Sequence, residues 1–364
     1  VNSEMSYRVV DGGVLILEEA AENLKDVEAV ILDCDGTLVE TSSSFQVAGK
    51  VILMAYLDQL YGVECRLGDD FDEAFHLLKM LGGFNNVRTV TAVLLQALFI
   101  SAEADKPERQ TLEKIDLEYY VSRLTRGKSR PKFAERAFRW IVSEGVEMLG
   151  RHVGRADLEL LIEEKARSLG KLEGLKELRK LIGPLFPYGS GMLTTLFSEL
   201  WLGSEGIWKK HRVSPRFYDG PGLIEDEWLM VEPETLEDLE KTAPKGLAIL
   251  SGRGEWEILK VLNPIIGYFR VDASVFTGDK PMRVEKPNPA GLIECCERLG
   301  ASEILYVGDG GEDLFLTREA SKRGVKAYMA GVLTNRYSYT LFTKQKAEAI
   351  LEDVNLLPKL FKQL

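Results

Sequence analysis

An α/β core built on a parallel sheet, interrupted by a large and mainly helical insertion, is the fold class this sequence predicts. Three observations predict it. Short β-branched runs ending in polar or Gly-rich turns occur at residues 27–35 and again across roughly 243–335, each followed by a helical pattern. Strands that alternate with helices imply a parallel sheet covered on both faces. Between about Thr41 and Tyr218 the periodicity becomes helical almost without interruption. The chain is also long: 364 residues exceed one ordinary core and are comfortable for two packed units.

Taken in order, the chain opens with YRVVDGGVLIL, where Asp11-Gly12-Gly13 between apolar runs predicts a hairpin extending a sheet edge. AVILD, residues 29–33, is the first core strand. The insertion carries helical patterns such as FQVAGKVILMAYLDQL, LELLIEEKARSL and MLTTLFSELWL. RFYDGPGLIEDEWLMVEP, with its Gly and Pro punctuation, then returns the chain to the core ahead of a helix, ETLEDLEK. LAILSG, SVFTGD, EILYVGD and VKAYMAG supply four further strands. The expected domains are therefore residues 1–40 as the first part of the core with an N-terminal extension, 41–222 as the helical unit, and 223–364 as the second part of the core. Hinges are expected near Glu40–Ser44 and Asp219–Gly222, where Ser and Gly join the units.

Composition narrows the function classes. The formal net charge is -11, which works against binding nucleic acid or an anionic membrane, since both reward a basic excess. Four cysteines without a C-x-x-C pair and three widely spaced histidines offer no zinc or disulfide framework. A reducing cytoplasmic location is the expectation. The N-terminal segment has no positively charged start and only a short apolar run, so it does not read as a signal peptide. Val90 to Ile100, interrupted by Thr91 and Gln96, is too short to cross a bilayer.

In an open parallel sheet ligands bind beyond the carboxyl ends of the strands, where the strand order reverses, so the strand endings are informative. Here they are polar and reactive. AVILD delivers Asp33 and Asp35; LAIL is followed by Ser251, Gly252 and Arg253; the loop after SVFTGD reaches Lys286; and EILYV leads to Asp309 and Asp313. Two carboxylates ~4 Å apart repel by ~4 kcal/mol at an effective dielectric of about 20, so a cation must sit among them. Hard oxygen donors without histidine or thiolate favour Mg2+. Lys286 with donors at Ser251 and Gly252 completes a site for a tetrahedral dianion, and a helix starting near Gly254 is expected to aim its first amides at the same place.

With these residues in view, the sequence resembles the haloacid dehalogenase (HAD) superfamily of phosphatases and phosphomutases. Its four motifs appear in order as Asp33-Cys34-Asp35-Gly36-Thr37, Ser251-Gly252, Lys286, and Gly308-Asp309 with Asp313. The match covers roughly half the chain. An insertion between the first two motifs is similar to the phosphoglycolate-phosphatase-like branch, whose members carry a helical cap over the site. The resemblance implies a Rossmann-like core of the HAD type and a Mg2+-dependent phosphatase acting on a small phosphorylated metabolite. Asp33 would be the nucleophile that becomes an aspartyl-phosphate, and Asp35 the general acid and base. Magnesium would be held by the Asp33 carboxylate, the Asp35 main-chain carbonyl and Asp309, with Asp313 ligating through water or orienting its neighbours. The superfamily's dehalogenases lack the second aspartate, which argues against that branch.

Taken singly, each motif has a structural alternative. Asp309 and Ser251 could be helix caps, and Lys286 before Pro287-Asn288-Pro289 a surface lysine ahead of a helix start. Their order and their placement after strands decide for a site. Neither Gly252-x-Gly254, with Glu257 at the third glycine's position, nor Gly189-x-Gly191, with Thr194 there, completes a dinucleotide fingerprint. Inside the insertion, Leu81-Gly82-Gly83-Phe84-Asn85-Asn86 reads either as a helix-ending turn or as a loop that touches substrate through Asn85 and Asn86. Arg253 is a further candidate for substrate binding. Arg123–Arg139 holds seven basic residues against Glu135 and reads as a solvated turn, and the aromatics from Phe186 to Trp208 read as core packing. The enlarged cap would serve a larger substrate or a homo-oligomer interface. The competing readings are a phosphomutase, which shares every catalytic residue, and a non-catalytic partner-binding protein that kept the fold.

Overall fold

The structure is a computed structural model that describes residues 6–10, 12–124, 131–280 and 284–364. Backbone contacts divide the chain into two units: one ends at Glu40 and resumes over Trp228–Leu364, the other is Thr41–Glu227.

Twelve strands are formed by the described residues. β1 (Tyr7–Val10) and β2 (Val14–Leu17) make the antiparallel N-terminal hairpin, whose turn residue Asp11 lies outside the described residues. β3 (Ala29–Leu32) and the short β4 (Val39–Glu40) follow. β5 (Gly82–Gly83) and β6 (Val153–Gly154) are a minimal parallel pair inside the helical unit. The first unit then continues with β7 (Trp228–Leu229), β8 (Leu247–Ser251), β9 (Val275–Phe276), β10 (Glu303–Gly308), β11 (Lys326–Val332) and β12 (Ala349–Leu351).

Eight of them form one sheet in the order β1-β2-β12-β11-β10-β3-β8-β9. From β12 to β9 the pairings are parallel, and β2 joins β12 antiparallel. The hairpin thus extends the edge of the sheet. β3 and β8 are buried along their whole length, as strands covered on both faces must be. Val30, Leu32, Ile249 and Val307 lie in one apolar cluster, and each such buried side chain stabilises the fold by about 1.5–3 kcal/mol. From β3 the chain winds outward through β8 to β9, then crosses back to lay β10 on the other side of β3 and continues to β11 and β12. The order therefore reverses between β3 and β10. Leu32 pairs with Val307 there, so whatever ends these two strands shares a crevice.

The helical unit packs around the helix Val87–Ser101, which is apolar and buried nearly all round, as the centre of a bundle should be. Its buried Gln96 is satisfied by Arg179, which donates from Nε at 2.8 Å, and by donating to Glu159 at 3.0 Å. Glu199, fully buried on the helix Met192–His211, accepts backbone N–H bonds from Arg216, Phe217 and Tyr218 at 2.7–3.0 Å and the Tyr188 hydroxyl at 3.0 Å.

Residues Asp219–Gly222, expected to hinge, are instead fastened to that helix. Ser204 N–H bonds to Gly220 O at 2.9 Å, Gly203 bridges to Pro221, and the Tyr218 hydroxyl reaches Pro221 O at 2.8 Å. Gly203, at φ +67°, breaks the helix so that the segment can lie against it; a Cβ there would meet Gly222 N at 2.2 Å. The glycines serve close approach, which sequence alone does not distinguish from flexibility. Residues 223–227, expected in the core, also belong to the helical unit: Glu227 accepts from Ser44 and from Trp201 Nε1, and Ser43 donates to Asp226 O. The chain leaves the first unit at Glu40 and re-enters it at Trp228, and those two residues pair across β4 and β7. Of the aromatic run, Phe197 and Trp201 pack with Phe45 as expected, whereas Phe186 and Trp208 are exposed. Arg123 is buried against Asp58, and residues 125–130 of the basic segment lie outside the described residues. No helix among the described residues is long and apolar enough to cross a membrane.

Candidate active site

Asp33 is the first residue past β3, and its N–H bonds to Val307 O on β10 at 2.8 Å. Its side chain is buried. Oδ1 accepts from the Cys34 N–H at 2.7 Å and from Lys286 Nζ at 2.7 Å. The same ammonium reaches Asp313 Oδ1 at 2.8 Å, with only 1% of the lysine side chain exposed. Asp313, in the first turn of the helix Gly311–Lys322, is fully buried and accepts on both oxygens: Oδ1 also takes the Tyr306 hydroxyl at 3.0 Å, and Oδ2 the Gly310 N–H at 3.1 Å. Lys286 also lies over the Tyr306 ring, 5.4 Å from its centroid.

Asp309 closes the group from the end of β10. One carboxylate oxygen from each of Asp33, Asp309 and Asp313 falls within a 4.8 Å cluster. Asp309 Oδ2 accepts from the Thr334 hydroxyl at 3.0 Å. On another side stands Gly36, at φ +73°; a Cβ on it would come within 2.3 Å of the same oxygen, so only glycine lets the first motif's turn lie against Asp309. Asp35 lies two residues beyond Asp33 and is about a quarter exposed. Its Oδ1 is held by Arg253 Nε at 2.7 Å.

The second motif sits on the neighbouring strand. β8 pairs with β3 so that Leu32 matches Ile249, which brings Ser251 level with Cys34. Ser251 Oγ accepts from Arg253 N–H at 3.1 Å, a turn-closing bond that leaves the hydroxyl its own proton to donate. The expectation for the helix after Gly254 needs correction. That helix, Glu255–Val261, is short, and its leading amide at Glu255 is occupied by Asp279 Oδ2 at 3.0 Å. Arg253, a sequence candidate for substrate binding, is joined to Asp35. Asn85 and Asn86 lie in the helical unit. There Asn86 Oδ1 accepts from Arg88 N–H at 3.0 Å and caps the helix Val87–Ser101, while Asn85 O accepts from Lys79 at 3.4 Å.

Electrostatics follow from this packing. Burial alone would lower the Lys286 pKa, but Asp313 and Asp33 outweigh it and hold the lysine charged. Burial pushes the Asp33 carboxyl up, opposed by Lys286 and reinforced by Asp313 and Asp35. Burial, then Asp313 and Asp33, also raise the Tyr306 phenol, so it stays a donor. Among the described residues Lys286 pairs with Asp33 and Asp313, and Arg253 with Asp35. The all-oxygen donor set offered by Asp33, Asp309 and Asp313 fits a hard divalent cation such as Mg2+.

Sequence reasoning missed Tyr306 and Thr334. Tyr306 precedes Gly308 by two residues on β10, and Thr334 stands just beyond β11, where the rule applied to the other strand endings would have found it.

Comparison with known proteins locates this arrangement by fold. Among protein-family models none matches, and none of the curated proteins does. Among solved structures, a Northeast Structural Genomics Consortium target matches at 14% identity with a TM-score of 0.54, covering 93% of this chain and 99% of that one. A Bacteroides fragilis protein named as a haloacid dehalogenase-like hydrolase matches at 15% identity and a TM-score of 0.40, covering 91% and 99%. A Thermotoga maritima protein named as a β-phosphoglucomutase matches at 15% and 0.36, covering 93% and 100%. The first likeness shows a shared fold; at these identities none speaks to substrate. With its reversal of strand order between β3 and β10 and a helical unit inserted after its first parallel strand, the core is a Rossmann-like α/β fold.

Proposed function

We propose that this protein is a Mg2+-dependent phosphatase of the haloacid dehalogenase superfamily, hydrolysing a small phosphorylated metabolite through an aspartyl-phosphate on Asp33. The observation that carries the reading is the meeting of Asp33, Lys286, Asp309 and Asp313 at the carboxyl ends of β3 and β10, with Asp35 beside them.

An Asp33 carboxylate oxygen attacks phosphorus as the ester P–O bond breaks, and Asp35 gives its proton to the departing oxygen. Water then attacks the acyl-phosphate at phosphorus. Asp35 takes that water's proton, inorganic phosphate leaves, and the Asp33 carboxylate is restored. Splitting one slow displacement into two is what a covalent carboxylate contributes. Lys286 offsets charge on the transferring group, Ser251 and the Gly252 amide supply donors to it, and Arg253 holds Asp35 in place. Asp33, the Asp35 carbonyl and Asp309 would hold magnesium, which when bound supplies charge neutralisation at the phosphoryl oxygens. Asp313, with both oxygens committed to Lys286, Tyr306 and Gly310, orients the lysine instead of ligating. Substrate choice is assigned to the helical insertion on the strength of its position between the first and second motifs, and the protein is read as cytoplasmic.

The test is a panel of phosphorylated metabolites with Mg2+, scoring free phosphate against isomer formation, with Asp33→Asn as the blank. Phosphate release that needs both Mg2+ and Asp33 supports the reading. Isomer formation without phosphate would make it a phosphomutase, and no turnover of any substrate would favour a partner-binding role.

A further inference from the structure

We propose that Thr334, backed by Asn335, is a positioning residue that sets how Asp309 presents its carboxylate to a divalent cation. The inference rests on the metal-ligand reading of Asp309 and deepens it. Thr334 lies one residue past Leu333, whose N–H bonds to Leu351 O at 2.9 Å and so carries the alignment with β12 beyond the end of β11. From there the Thr334 hydroxyl donates to Asp309 Oδ2 at 3.0 Å and accepts from Asn335 Nδ2 at 3.3 Å. Asn335 is itself fixed, since its Oδ1 accepts from Tyr337 N–H at 2.9 Å and its carbonyl from Ser338 N–H at 3.2 Å, closing the turn before the helix Ser338–Lys344.

A relay thus runs from that turn through Asn335 and Thr334 to Asp309. The Gly36 backbone bounds the same carboxylate from the first motif. An aspartate serving only as a helix cap does not need its carboxylate plane fixed by partners from two other segments. A metal ligand does, because a small octahedral cation tolerates little angular error, and outer partners that orient ligands commonly change metal affinity 10- to 100-fold when removed.

The test is calorimetric titration of Mg2+ alone into the metal-free full-length protein, independent of any substrate. Thr334→Val is expected to weaken Mg2+ binding about 10- to 100-fold, while Thr334→Ser, which keeps the hydroxyl, stays near wild type. Asn335→Ala weakens binding in the same direction. Because both act through one relay, the double variant Thr334→Val/Asn335→Ala is expected to be no worse than Thr334→Val alone. Asp309→Asn separates the two levels of the argument: if it binds Mg2+ as wild type does, the metal-site reading itself fails. If Asp309→Asn abolishes binding and Thr334→Val leaves it unchanged, the positioning role is overturned. Additive losses in the double variant would overturn it equally, as independent structural damage predicts.

Discussion

Replacing Lys286 by methionine removes an ammonium that spans two buried carboxylates, and the structure sets the size and the pH dependence of the result. Nζ lies 2.7 Å from Asp33 Oδ1 and 2.8 Å from Asp313 Oδ1; at an effective dielectric of 20 each contact is worth about 6 kcal/mol before desolvation is counted. Without the lysine, two carboxylates with oxygens inside a 4.8 Å cluster repel by about 3.5 kcal/mol on the same scale. The cheaper response is to take up one proton. Holding a carboxyl protonated about three pH units above its ordinary value near 4 costs about 4 kcal/mol at pH 7, or about 1.4 kcal/mol for each pH unit. This figure falls within the range for breaking a buried pair by removing one partner. The sign follows. A carboxyl whose folded pKa is raised contributes stability that is present below its unfolded pKa and is lost as pH rises toward its folded pKa. Lys286→Met should therefore trail wild type by about 4 kcal/mol at pH 7 but only about 1 kcal/mol at pH 5. Urea unfolding of both proteins without metal at the two pH values measures it. An equal deficit at pH 5 and pH 7 would refute the buried-charge argument.

Other consequences can be read the same way. Gly36→Ala forces a left-handed conformation on a residue with a side chain, costing about 1–2 kcal/mol, and drives its Cβ at Asp309; turnover should fall by at least tenfold while the far-ultraviolet dichroism stays native, and unchanged turnover would contradict the contact. Glu199→Ala leaves three backbone N–H groups of residues 216–218 without their acceptor, each worth about 1–3 kcal/mol, so urea unfolding should show a loss of at least 2 kcal/mol. Glu28 is anchored by Lys245 and by the N–H groups of Ser302 and Glu303, and its carboxyl is pulled down from 4.5 to about 2. Its contribution is present above its ordinary pKa and disappears as pH falls toward 2. Glu28→Gln should therefore be the less stable protein at pH 6 and converge with wild type in acid melts near pH 2.

Much of the fold was legible because its signals are local. AVIL, LAIL and the ILYV of EILYV are the apolar runs that a doubly covered sheet requires, and they became β3, β8 and β10. The strand endings then led to Asp33, Asp35, Ser251, Lys286, Asp309 and Asp313, since a parallel sheet collects its carboxyl ends at one edge. What escaped depends on tertiary detail. Thr334 follows a strand run that was recognised but whose ending was not inspected. Tyr306 looks like one more core aromatic until its hydroxyl is seen on Asp313. Gly220 and Gly222 carry the composition of a hinge and the geometry of a packed contact, a difference made by Gly203 on a distant helix. Asn86 fitted two roles, and its bond to the Arg88 amide shows it capping a helix.

The central claim is chemical: Asp33 carries the phosphoryl group. It is met most directly by quenching the Mg2+-loaded enzyme during turnover of a phosphomonoester, reducing with borohydride, and locating the modified residue by peptide mass spectrometry. The account predicts an acyl-phosphate reduced to homoserine at position 33 and absent from Asp33→Asn. Turnover that proceeds with Asp33 unmodified, or that survives in Asp33→Asn, would contradict it.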